Sequence, residues 1–236
     1  MAFHSLFNRI RRVCEQKTIT AMDEEDAAFE DATEGTALSG IADAFEQLSK
    51  SVKYCTSASN DLQLTPFCEA CSLVSVLFGC LGIAFKFAEL EYCSKVRDLS
   101  EASTGYGTLS NLLNTDVAND TVRTPGSLSR NLRRIRQGLD LIRALFLNFL
   151  SEDFCTLKDA ASTAYAQVCA PYHTWAVRTA VSAGMHALPT REQLLLKLNE
   201  TEESAEREMR RYIEASLPVI EYIDKLYVSR NISLDW

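Results

Sequence analysis

The sequence is poor in helix breakers, in histidine and in basic charge. Nine Gly and five Pro in 236 residues leave little material for a fold of strands and tight turns, and predict long helices. Three His, one of them His4 near the start, supply hydrolytic metal chemistry badly. There is no His-Glu-x-x-His, no Gly-x-Ser-x-Gly and no Gly-rich phosphate loop following a strand. With 24 basic against 32 acidic residues the formal net charge is −8, which excludes a bulk nucleic-acid binder, since that needs a positive surface. The longest uncharged run, Ala70 to Phe85, falls short of the roughly 18–20 apolar residues that cross a bilayer and reads as helix buried in protein.

The eight cysteines (14, 55, 68, 71, 80, 93, 155 and 169) are scattered through apolar patterns, and no secretory leader precedes them. Reduced thiols in a cytoplasmic protein are expected. Cys68-x-x-Cys71 lacks the second Cys or His pair that a zinc site requires. For the same lack of a leader, the Asn-x-Ser/Thr triplets at Asn119, Asn199 and Asn231 are expected to carry no glycan. Neither cofactor nor metal is expected.

What is present is helical periodicity. Residues 1–17 combine Phe3, Phe7 and Ile10 on one side with Arg9, Arg11, Arg12 and Lys17, an amphipathic start suited to a membrane surface, to organelle targeting or to a loosely attached helix. From Asp23 to Glu34 there are seven acids and no base, so residues 18–36 read as disordered. Residues 1–35 are therefore an extension and 36–236 the folded domain. Leu38, Ile41, Phe45, Leu48 and Val52 mark the first core helix. Thr65-Pro66 reads as an N-cap and first helical residue. Gly79 and Gly82 mark a kink or break before a second stretch over about 83–99, apolar nearly all round and so expected to be buried. A Ser/Thr/Gly-rich loop over 100–107 precedes a short helix with Leu109, Leu112, Leu113 and Val117.

Thr124-Pro125-Gly126-Ser127 then gives a turn and a cap. The helix after it carries Leu128, Leu132, Ile135, Leu139, Ile142, Phe146 and Phe149 on one face. Further helices are expected over about 157–168 and, beyond Pro171, over 172–186. Thr190-x-x-Gln193 resembles a capping box. A last long helix with Met209, Tyr212, Ile213, Val219, Ile220, Ile223 and Tyr227 is expected to bend at Pro218. The fold class is all-α, a globule of about eight helices.

Several charges fit a plain helical core poorly. Glu91 and Lys95 stand four apart within the apolar stretch, either as a surface pair worth a few tenths of a kcal/mol, ~0.3, or as functional charges. Arg130 and Arg134 are likewise one turn apart, away from the apolar stripe, with Arg133 and Arg136 further round. They read as solvated arginines or as a clamp for a phosphate. His173, two before Trp175, is either a satisfied core residue or a donor to a carbonyl or phosphate oxygen.

The residues just named resemble those of the glycolipid transfer protein family. Phe78-Gly79-Cys80-Leu81-Gly82-Ile83-Ala84-Phe85 followed by Glu91 and Lys95 is similar to its second-helix signature. Arg130-Asn131-Leu132-Arg133-Arg134 with Gly138-Leu139 resembles its recognition helix. Tyr165 through His173-Thr174-Trp175, then Ala187-Leu188-Pro189-Thr190-Arg191, resembles its His-x-Trp segment. Order and spacing agree over about residues 37–236, and the plant branch known from an accelerated-cell-death phenotype is the best fit.

The resemblance implies a two-layer sandwich of about eight helices that takes lipid chains between its layers, holds the headgroup at a charged surface site and catalyses no covalent step. It places the sphingosine amide on Glu91, the phosphate on Lys95, Arg130 and Arg134, and the acyl carbonyl on His173, with Trp175 packing behind. Sugar-binding relatives have asparagine in place of Lys95 and a tryptophan platform in place of Arg134, so a phosphate headgroup is implied. The family usually has aspartate where Glu91 stands. A monomer that carries ceramide-1-phosphate or phytoceramide-1-phosphate and touches membranes transiently is expected. The alternatives are a carrier of another headgroup, such as a glycosphingolipid, and a sphingolipid sensor that does not transfer.

Overall fold

The computed structural model describes residues 35–58, 61–151 and 156–236. The amphipathic start and nearly all of the acidic stretch lie outside them. Among the described residues there are nine α-helices and no strand beyond a single bridge between Gln63 and Thr108. Helix α1 is Ala37–Ala58, α2 Leu64–Cys80, α3 Lys86–Tyr106, α4 Leu109–Ala118, α5 Leu128–Phe149, α6 Leu157–Val168, α7 Trp175–Gly184, α8 Arg191–Leu198 and α9 Glu202–Val228. Short 3-10 turns occupy Ile83–Phe85, Ala170–Tyr172 and Met185–Ala187.

The helices form a two-layer sandwich. Helix α1 lies along α9, and α5 packs against α3, α6 and α9. The expected stripe of α1, Leu38 to Val52, is buried throughout, as are Leu132, Ile135, Leu139, Ile142, Phe146 and Phe149 of α5. Tyr212 of α9 meets Phe45 and Phe146 edge-on, with ring centroids 4.9 and 5.6 Å away, and so joins three helices at one point. Its hydroxyl donates to the Leu139 carbonyl at 3.2 Å, which satisfies the polar tip of a fully buried ring.

Local signals account for most boundaries. Ser127 caps α5 by accepting from the Arg130 N–H, and Thr190 with Gln193 forms the expected capping box on α8. Gly82, at φ +99°, breaks α2 from α3 in a conformation that L side chains rarely adopt. Pro218 sits inside α9 without ending it.

Four expectations are corrected. Helix α2 starts at Leu64 with Gln63 at its N-cap, so Thr65 and Pro66 lie within its first turn. Proline is accommodated there because first-turn N–H groups have no intrahelical acceptor. The stretch 100–106 is helix, not loop: α3 runs on until Gly107, at φ +69°. The α3 region is not buried all round, since Ile83, Phe87 and Leu90 are 93, 77 and 58% exposed while Tyr92, Val96 and Leu99 face the core. The 172–186 helix is shorter, beginning at Trp175 under a Thr174 cap.

Among the described residues no helix is long and apolar enough to cross a membrane, and no group of His, Cys, Asp and Glu is arranged to hold a metal. Cys68 and Cys71 are free, buried thiols; burial pushes the Cys68 thiol up to about 12 and raises that of Cys71, which disfavours the thiolate.

Candidate functional site

Two contacts fix how α3 meets α5. Asn131 Nδ2 donates to Asp98 Oδ2 at 3.0 Å, and the Tyr92 ring presses on Gly138 so closely that an added Cβ would stand 3.0 Å from it. The helices are therefore antiparallel, with Asp98 level with Asn131 and Tyr92 level with Gly138. That register sets Lys95 level with Arg134. Lys95 lies three residues before Asp98 and Arg134 three after Asn131, so both project from the facing sides. Sequence spacing within either helix contains no information about this juxtaposition.

Glu91 and Lys95 form the i,i+4 ion pair, with the Lys95 side chain 22% and the Glu91 side chain 58% exposed. The surface-pair reading of these two is thus correct as far as contacts go, and Lys95 is drawn inward more than its partner. The four arginines of α5 differ sharply. Arg133 and Arg136 are not solvated, contrary to expectation. Arg133 reaches Asp224 of α9 at 3.3 Å, and Arg136 reaches Asp224 at 2.5 Å and Asp140 at 2.7 Å. Arg130 and Arg134 have no ion pair within 4.0 Å among the described residues. Arg134 donates to Gln137 Oε1 at 2.6 Å, and Arg130 to the Arg123 carbonyl at 2.7 Å.

Electrostatics mark Arg134 as the strained member. Burial, then repulsion from Arg130 and Arg133, hold its guanidinium below the ordinary arginine range. A bound anion would relieve that repulsion, and two guanidiniums one turn apart offer paired donors to phosphate oxygens. His173 stands within reach of the same charge. Burial, then the positive Arg134, push its imidazole below the ordinary range, so the neutral ring is favoured. Its Nδ1 is 2.8 Å from the Tyr165 hydroxyl. In the tautomer where the hydroxyl donates to Nδ1, the neutral ring carries its one N–H on Nε2.

Arg130, Arg134 and His173 thus feel one another's charge, while Lys95 is tied to Glu91 on the facing helix at the level of Arg134. Trp175 does not join them: it is 73% exposed and lines a surface cleft with Arg178, Thr179, Ser182 and His186. Asp98, Gln137 and Tyr165 were not anticipated as partners of these groups. Asp98 follows Glu91 by seven residues and Gln137 follows Arg134 by three, so helical spacing was the available signal.

The family model for the glycolipid transfer protein matches residues 62–200. The chain is 62% identical over 223 residues to the ACD11 homolog protein of Arabidopsis thaliana, covering 91% of this chain and 97% of that one. It is 48% identical over 197 residues to Accelerated cell death 11 of the same plant, covering 83% and 94%. A crystal structure of an aspartate-to-asparagine mutant of Arabidopsis ACD11, complexed with C12 ceramide-1-phosphate, superposes with a TM-score of 0.81 at 47% identity, covering 86% of this chain and 99% of that one.

Proposed function

Because the chain belongs to the glycolipid transfer protein family, we propose that it binds ceramide-1-phosphate and its phytosphingosine relatives and moves them between membranes. The chain is a carrier, and no covalent step is involved. The observation that carries this reading is that, among the described residues, Arg130 and Arg134 have no acidic partner, with Lys95 level with Arg134 on the facing helix. The similarity to an ACD11 crystallised with ceramide-1-phosphate supports the same headgroup.

In this reading Arg130 and Arg134 each donate to phosphate oxygens, and Lys95 adds a third cation. Neutral ceramide or a sugar headgroup would leave these cations unmatched in a partly desolvated site, which costs more than an unmade contact in water. The neutral His173 donates through Nε2 to the acyl carbonyl. Glu91 accepts from the sphingosine amide N–H and hydroxyl.

The two hydrocarbon chains enter between the helical layers, near the core built by Phe45, Phe146 and Tyr212. Each buried methylene offsets extraction from the bilayer by about 0.8 kcal/mol. Loading from a membrane surface is supported by Ile83, Phe87, Leu90 and Trp175, large apolar side chains that the fold leaves in solvent. A tryptophan is suited to the interface because its ring is apolar and its N–H polar. The working unit is a monomer with residues 1–35 as an added segment.

The test is competition between headgroups. Donor vesicles carry fluorescent ceramide-1-phosphate, glucosylceramide or phosphatidic acid at equal mole fraction, and appearance of each in acceptor vesicles is followed. Ceramide-1-phosphate should move fastest. Preference for the sugar lipid would overturn the assignment of Lys95, Arg130 and Arg134.

A further inference from the structure

Among the described residues Arg130 and Arg134 have no carboxylate to hold them, yet both are held, and each holder is attached to the same stretch of chain. Gln137, buried at 5% exposure, accepts from Arg134 through Oε1 and donates through Nε2 to the Trp236 main-chain oxygen at 3.4 Å. Arg123 offers its carbonyl to Arg130, while its own side chain donates to Ser233 Oγ at 2.8 Å, lies 3.7 Å from Asp235 and covers the Trp236 ring at 5.5 Å. Between them, Arg133 donates to the Leu234 carbonyl at 2.6 Å. That short, charge-assisted bond is the firm attachment, since the amide contact is long. Trp236 closes the segment on itself through Nε1 to the Ser233 carbonyl at 2.7 Å, and meets Tyr227 edge-on.

We propose that residues 233–236 form a strap that aims the two guanidiniums at the headgroup, with Gln137 as the positioning residue for Arg134. This rests on the reading of Arg130 and Arg134 as phosphate ligands. The side-chain chemistry fits the task. A neutral amide oxygen fixes a guanidinium without neutralising it, so the remaining donors keep their full attraction for an anion. A carboxylate at that position would hold Arg134 more tightly and compete with the phosphate for it. The arginine that anchors the strap, Arg133, has its charge matched by Asp224, which leaves it free of any role toward the lipid.

The test measures affinity for ceramide-1-phosphate in phosphatidylcholine vesicles, with thermal unfolding run in parallel. Gln137→Leu and Trp236→Ala should each weaken binding about five- to tenfold, the effect of losing one positioned hydrogen bond, with little change in Tm. Added to Arg134→Leu, Gln137→Leu should have no further effect, because the group it positions is gone. Unchanged affinity in both single variants, or a full additive loss in the double, overturns the proposal. If Gln137→Leu does not fold, Trp236→Ala decides: it should weaken binding alone and have no further effect when added to the Arg130→Leu/Arg134→Leu double variant, and unchanged affinity alone or a full additive loss in that background overturns the proposal. Should Arg134→Leu by itself bind as well as the parent, it is the phosphate assignment that fails, and the strap with it.

Discussion

Arg133 and Arg136 are interleaved with Arg130 and Arg134 on α5, all four within the same two turns of helix. The first pair is consumed by Asp224, which α9 brings from 91 and 88 residues away. The second pair has no acidic partner among the described residues: Arg130 is held by the Arg123 carbonyl and Arg134 by Gln137, while Asp98 of α3 is occupied by Asn131. What separates a structural arginine from one proposed to bind the headgroup is therefore not its own surroundings on the helix. It is whether the opposing helix supplies a carboxylate. Burial lowers the charge preference of both Arg133 and Arg134, but for Arg133 Asp224 opposes that lowering, whereas the charged groups nearest Arg134 are further arginines.

Removing Asp224 breaks the comparison most forcefully. Asp224→Ala strands Arg133, which is 3% exposed, together with Arg136. Leaving buried charges uncompensated costs about 3 kcal/mol, or roughly 6–12 °C of Tm in a chain of this size. Calorimetric unfolding checks it; a change under about 2 °C would show that the pair contributes nothing. The reciprocal substitution is Arg134→Leu. It should lower ceramide-1-phosphate transfer by about 30-fold or more, the worth of a charge-assisted contact. Tm should hold or rise slightly, because repulsion from Arg130 and Arg133 disappears. A matching collapse of stability would put Arg134 in the same class as Arg133.

The contrast also shows where sequence reading stops. Helix α5 was legible in full, from the Ser127 cap to the stripe ending at Phe149, because a 3.6-residue period and a cap are local. The same locality misled at 100–106. Ser, Thr and Gly there suggest a loop, but Val96 and Leu99 anchor the helix to the core and Asn111 Nδ2 donates to the Tyr106 carbonyl at its end. Tertiary contacts outweigh a propensity deficit of about 1 kcal/mol per glycine. The exposed Ile83, Phe87 and Leu90 were missed for a different reason: composition cannot say which apolar residues a fold leaves outside. The candidate ligands could be named from resemblance, but the partition of the arginines required Asp224, and the level of Lys95 against Arg134 required the register of α3 on α5.

The smallest expected effect is the sharpest probe of that partition. His173 is disfavoured as an imidazolium by burial first and by Arg134 second. The folded chain therefore takes up this proton less readily than the unfolded chain. The associated stability is fully present above the ordinary value of 6.5 and is lost as pH falls through the depressed one. In Arg134→Leu the burial is unchanged while the charge is gone, so the His173 titration should move upward, toward but not reaching its ordinary value. Arg136→Leu removes an equal charge from the same helix and should leave His173 where it is, since Arg136 is turned to Asp224 and Asp140. NMR titration of the imidazole Cε1–H resonance reads both. Equal shifts in the two variants would mean that the arginines act as a diffuse field, and that Arg134 has no privileged place beside His173.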